Sequence, residues 1–120
     1  MTTRCFLHHR LDVYHAALDL AVIARGIAIR APIGHARLLD QLKRCSCAVP
    51  LLIAEGANRS SAAQKRQRFV EALGECGETA AAVEIMERCE LVTTEDSARL
   101  HDCARRVAEM LAGLIRRHRR

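Results

Sequence analysis

Between Leu11 and Arg30 the polar residues Asp12, His15, Asp19, Gly26 and Arg30 recur at steps of three, four or seven, which lays them along one narrow strip of a helix. Nearly everything else in that stretch is apolar. Leu11, Tyr14, Leu18, Val22 and Ile29 form one stripe, and Val13, Leu20, Ala24 and Ile27 form another on a different side. A helix in a lone bundle buries a single face. Two apolar faces therefore predict a second burial surface, and another copy of the chain is its economical source.

The same periodicity continues to the end of the chain. Ala31-Pro32-Ile33-Gly34 stops the first helix, because Pro disfavours helical geometry in the residue before it and Gly relaxes the turn. From about 35 to 56, Leu38, Leu42, Cys45, Val49 and Leu52 alternate at steps of four and three, an a/d-like seam. Pro50 lies inside that helix and cannot donate to the carbonyl of Ser46, which predicts a kink or local irregularity there. Gly56-Ala57-Asn58-Arg59 reads as its stop. Ser61-Ala62-Ala63-Gln64 has the S-x-x-Q form of a capping box and opens a third helix, from 62 to about 91, with Phe69, Leu73, Cys76, Ala80 and Val83 on its stripe. Gly74 and Gly77 offer places where another helix can come close. Thr93-Thr94-Glu95-Asp96 caps a fourth helix, about 95–116, with Leu100, Cys103, Val107, Met110 or Leu111, and Leu114 as its seam. Four amphipathic helices joined by short turns predict an all-α, antiparallel up-down-up-down four-helix bundle. The 120 residues suffice for one domain, 1–120, and no strand pattern, repeat or long linker divides it.

Composition narrows the function. Aromatic residues make up 2% of the chain, so the core must be built from Ala, Leu, Ile, Val, Cys and Met, and binding of single strands by base stacking lacks its platforms. Any nucleic-acid contact would be mainly electrostatic. The net charge is +5, but Arg116, Arg117, Arg119 and Arg120 supply four of the 19 basic residues, leaving 15 against 14 acidic residues elsewhere. Such a tail suits phosphate, and it also suits the negative pole of a terminal helix. Residues 1–10 lack the apolar segment of a secretory signal, and no apolar run approaches the ~18 residues that span a bilayer. The expectation is a cytoplasmic protein without membrane contact whose six cysteines are reduced. Most of these fall on apolar stripes as small core residues, and Cys45-x-Cys47 has the wrong spacing for a zinc or thioredoxin-type site.

Candidate chemistry is sparse. Glu71, Glu75 and Glu78 share a helical face, but a paired-metal carboxylate site also needs Glu-x-x-His motifs, and the chain contains none. His8, His9, His15, His35, His101 and His118 have no i, i+4 partners. No metal, cofactor or catalytic residue is assigned, since no nucleophile elbow, phosphate loop or acid–base pair stands out. The basic residues offer more. Lys43 and Arg44 lie on the second helix, Arg59 in the turn after it, and Lys65, Arg66 and Arg68 in the first turns of the third. The turn should bring them toward one end of the bundle. Basic residues at a helix start oppose the dipole, a local cost that hints at use.

Three stretches carry a family resemblance: Leu11-Asp12-Val13-Tyr14, Gln41-Leu42-Lys43-Arg44-Cys45, and Val49-Pro50-Leu51-Leu52-Ile53-Ala54-Glu55-Gly56 with Arg59 just after. With Phe69, Ala72-Leu73-Gly74 and Glu78 they resemble the bacterial four-helix-bundle family encoded by intervening sequences in 23S ribosomal RNA genes. The accessory protein of diversity-generating retroelements is similar in fold. The resemblance implies a ring-like homopentamer with a basic surface and no catalytic activity, and, through the retroelement relative alone, a reverse transcriptase as partner. It carries over Pro50, Glu55, Gly56, Arg59 and Glu78; Glu55 and Arg59, at i, i+4, could pair with each other. Ala48 and Leu52 stand where members usually have Ser and Asn, and Glu75 replaces a typical Ser, so any hydrogen bond that this Asn makes in members has no counterpart here.

The reading that results is a homo-oligomeric, non-catalytic scaffold presenting Lys43, Arg44, Arg59, Lys65, Arg66, Arg68, Arg116 and Arg117 to RNA or DNA phosphates. The alternatives are a protein-binding or structural module whose basic residues only keep it soluble, and, more remotely, a metal-dependent enzyme using Glu71, Glu75 and Glu78.

Overall fold

The computed structural model describes residues 6–119; Cys5 and Arg120 lie outside them. A single 3₁₀ turn at Leu7–Arg10 leads into α1 (Asp12–Arg30), followed by α2 (Ala36–Ala57), α3 (Ala62–Arg88) and α4 (Thr94–Arg117). There are no strands among the described residues. The helix starts follow the caps legible in sequence. Ser61 Oγ accepts from the Gln64 amide at 3.1 Å, and Thr93 Oγ1 accepts from the Asp96 amide at 3.1 Å. Each satisfies a first-turn donor that has no partner within its helix. Gly34, in the turn after α1, has φ +111, a conformation that glycine adopts without a Cβ clash.

One local expectation needs correction. The third helix ends at Arg88 rather than near 91. Glu90 takes the left-handed conformation (φ 59), and the Leu91 amide reaches back to the Met86 carbonyl at 2.8 Å while the Glu90 amide reaches Glu87 at 3.1 Å. These are the two bonds of a Schellman stop. No Gly marks the position, so composition gave no signal. The second helix runs continuously through Pro50, which is buried.

The helices pack as a closed set of neighbours, α1 on α2 and α4, and α3 on α2 and α4. Leu20, Ile27, Leu42, Val49, Ile53, Phe69, Val83, Met86, Leu100, Val107 and Leu111 fill the centre with essentially no exposure. Of the two stripes on α1, Val13, Leu20, Ala24 and Ile27 form its contribution to this core. The other stripe splits. Leu11 and Tyr14 pack partly against the core, whereas Val22 and Ile29 are 71% and 69% exposed and Leu18 lies at 37%. The chain cannot bury both faces of α1 by itself. On α4, Leu111 rather than Met110 takes the fully buried position.

Gly56 shows why the end of α2 has the sequence it has. A Cβ there would sit 2.6 Å from Phe69 Cε1 and 2.9 Å from Cδ1. Helices α2 and α3 therefore approach at Phe69 more closely than any side-chain-bearing residue permits.

Candidate nucleic-acid interface

The 3₁₀ turn, the α2–α3 turn and the end of α4 meet at one place. Asn58 Nδ2 lies 2.9 Å from His8 Nδ1 and donates to the Ala54 carbonyl at 2.7 Å. The His118 ring lies 5.5 Å from that of Phe69. A shallow hollow between them is lined by Leu7, Arg10, Leu11, Lys65, Phe69 and His118, among others, and an adjoining one by Arg10, Asp12, Glu109 and Arg117.

The basic residues singled out in the sequence divide into two sets. In the first, charge is already committed. Lys43 pairs with Asp40 at 3.6 Å, and Arg44 with Glu78 at 3.8 Å. Arg68 holds Glu71 at 2.9 Å and lies 3.3 Å from Glu55. Glu55 thus faces α3 and does not pair with Arg59, because the packing of α2 on α3 supplies a nearer guanidinium. Lys65 Nζ donates to the Ala57 carbonyl at 2.8 Å and lies 3.5 Å from that of Gly56. Its ammonium caps the end of α2, where carbonyls lack partners within the helix and the dipole favours a cation. Arg66 fits neither set: it is half-buried, makes no ion pair among the described residues, and its Nε has no hydrogen-bond partner.

In the second set, Arg59, Arg116 and Arg117 are exposed and make no ion pair among the described residues. Arg10 joins them, exposed and equally unpaired, at the junction of the two hollows. The sequence offered no sign of Arg10, since it precedes the first helix and gains its neighbours only through the packing of the 3₁₀ turn. Lys43 and Arg44 are left some fifteen residues back along α2 from Arg59, about 20 Å at 1.5 Å per residue. They do not belong to this end.

The glutamates of α3 do not converge as a ligand set. Glu71 accepts from Gln67 and Arg68, which hold its carboxyl below the usual value. Glu78 accepts from Gln41 at 2.9 Å. Glu75 is pushed up from its ordinary value, first by burial and then by the hydrogen bond and charge of Glu78, with Arg44 acting the other way. A carboxyl raised on folding contributes stability while protonated in both states, and loses it as pH rises through the folded value. Glu75→Gln should therefore raise the melting temperature at pH 7. The difference should close below about pH 4.5, the ordinary value; thermal melts at both pH values check it. No group of three His, Cys, Asp or Glu side chains suited to a metal occurs among the described residues.

The buried thiols are tuned away from reactivity. Burial pushes Cys76 up to about 11, and raises Cys45 and Cys103 as well. All three stay protonated at neutral pH and pack as small apolar residues. Leu52 packs partly against the core. No helix is long and apolar enough to cross a membrane among the described residues.

Fold and surface together define a four-helix bundle whose 3₁₀ turn, α2–α3 turn and α4 end meet at one place, with the unpaired Arg10 and Arg117 lining a shared hollow there. The chain matches the family described as 23S rRNA-intervening sequence protein over residues 9–113, and it belongs to that family. A solved structure from Bacteroides thetaiotaomicron VPI-5482, a protein with unknown function from the S23 ribosomal protein family, is similar with a TM-score of 0.78. The two are 21% identical, and the similarity covers 86% of this chain and 97% of that one. That likeness is one of fold. No curated protein matches the chain.

Proposed function

We propose that the protein is a non-catalytic, self-associating bundle that binds RNA or DNA phosphates through Arg10, Arg59, Arg116 and Arg117. The observation that carries this reading is a contrast among the basic residues named above: Lys43, Arg44 and Arg68 are paired with carboxylates, whereas Arg10, Arg59, Arg116 and Arg117 are exposed without such a pair among the described residues. A guanidinium without an internal partner is available for bidentate contact with phosphate. Such contacts position a duplex without reading its bases.

The proposed arrangement alternates the helices in direction. Arg30, ending α1, bonds Asp96 at the start of α4 at 2.9 Å, while Leu11 at the start of α1 shares a hollow with Leu114 near the end of α4; both contacts support it. Self-association is supported by the exposed stripe of α1, whose burial needs a second copy. A ring of five is the assembly the family resemblance implies, and the cytoplasm is the compartment expected from the lack of a long apolar segment. Light scattering of the purified protein tests the assembly, with a monomer as the result against it.

The binding test is a fluorescence-anisotropy titration with duplex DNA and structured RNA at two salt concentrations. The expected result is salt-sensitive affinity with little sequence preference, because each phosphate contact releases counterions. Absence of binding to both at low salt overturns the reading. A protein partner retained after nuclease treatment would favour the alternative, a protein-binding module.

A further inference from the structure

Two helix faces in this bundle point outward, one built of large side chains and the other mainly of small ones. On α1, His15, Leu18, Val22, Arg25 and Ile29 recur at alternating steps of three and four, all exposed. On α3, Val70, Gly74, Gly77, Ala81 and Glu84 recur at alternating steps of four and three, also all exposed. The first face carries projecting side chains. The second is bare at Gly74, Gly77 and Ala81, next to a largely apolar groove of about 230 Å3 lined by Leu73, Cys76, Gly77, Ala80, Ala104 and Ala108 together with His101 and Arg105. A Cβ added at Gly74 or Gly77 would meet nothing within 4 Å. Glycine inside a helix costs about 1 kcal/mol relative to alanine, and no contact within the chain requires it at either position.

Charge gives the two faces a register. Arg25 sits on the α1 stripe and Glu84 on the α3 stripe, and neither makes an ion pair among the described residues. Set opposite each other with the helices parallel, they also bring Leu18 over Gly77 and Val22 over Ala81. The bundle itself supplies the same register. Cys103 Sγ donates to the Ala16 carbonyl at 3.5 Å, and Cys76 Sγ to that of Ala104 at 3.3 Å, so Ala16 and Cys76 lie at one level. The sequence separation of that pair equals the separations of Leu18 from Gly77, Val22 from Ala81 and Arg25 from Glu84 to within one residue. A copy related by rotation about an axis along the bundle, with no shift along it, therefore aligns all three pairs. Closed rings demand that relation.

We propose that the α3 face, Gly74–Gly77–Ala81–Glu84, is the docking surface for the α1 stripe of a second copy of this chain. The interface is head-to-tail: each copy presents α1 to one neighbour and α3 to the other. The proposal rests on the self-association put forward above and names the two surfaces that carry it.

The test uses two variants that each block one face. Val22→Glu changes an exposed residue on α1. Gly77→Leu fills the bare face of α3, where the chain has open space for the side chain. Wild-type protein is expected to exceed a dimer by light scattering, and each variant to be monomeric with its helical circular dichroism retained at equal concentration. Mixed one to one, they should form a heterodimer and nothing larger, since each retains the face the other has lost. Arg25→Glu and Glu84→Arg should each weaken assembly, and their combination in one chain should restore it. A wild-type oligomer that persists in Gly77→Leu, or variants that stay monomeric when mixed, overturns the head-to-tail pairing while leaving self-association standing. A wild-type monomer overturns both.

Discussion

Gly56→Ala should destabilise the protein by about 1–3 kcal/mol, the range for forcing extra volume into a packed core, although alanine is normally favoured over glycine within a helix by about 1 kcal/mol. The sign is decided by one contact. The new methyl would lie 2.6 Å from Phe69 Cε1 and 3.1 Å from Arg68 Cβ, and Phe69 has nowhere to retreat at 1% exposure. Removing the ring should reverse the effect. Phe69→Ala alone is expected to cost about 3–5 kcal/mol for the lost burial and the cavity, and on that background Gly56→Ala should become neutral or stabilising, by up to about 1 kcal/mol. Urea unfolding of the four proteins, followed by helical circular dichroism at one protein concentration because assembly shifts apparent stability, reads the cycle. Equal effects of Gly56→Ala on both backgrounds would show that the α2–α3 approach is not what requires glycine.

The second large effect concerns binding. Replacing Arg59, Arg116 and Arg117 together by Ala should reduce the magnitude of the logarithmic salt dependence of duplex-DNA affinity by about 2.7, at roughly 0.9 per phosphate contact. Between about 50 and 200 mM salt the wild type should then lose about fortyfold more affinity than the triple variant. Lys43→Ala with Arg44→Ala is the control. Those two residues already face Asp40 and Glu78, so their loss should leave the salt dependence close to the wild type's. Parallel slopes for wild type and triple variant would remove these arginines from the interface. Lys65 is unsuitable for the comparison, because its ammonium caps α2 and its removal would disturb the turn that presents Arg59.

The two outcomes depend on different layers of information. Helix periodicity, the Ser61 and Thr93 caps and the stops around Pro32 and Gly56 were legible because each follows from a local rule of backbone and side-chain geometry. So was the two-faced character of α1, since an apolar stripe is a property of spacing alone. The Schellman stop at Glu90 was not legible, as it uses a residue that carries no turn signal and is held in place by bonds to Met86 and Glu87. The family assignment was likewise present in short motifs, although their residues have mixed roles. Gly56 serves the packing on Phe69, and Glu55 is drawn to Arg68 rather than to its helical neighbour Arg59.

The sequence by itself determined that this chain makes four helices with one apolar face too many, because periodicity is written residue by residue. Only the tertiary structure decided which α1 face is core, which lysines and arginines are neutralised, and that Arg10 stands beside Arg117. Each of these depends on contacts between residues distant in sequence, and an ion pair formed or missing at such a contact separates a structural cation from one free to meet a partner.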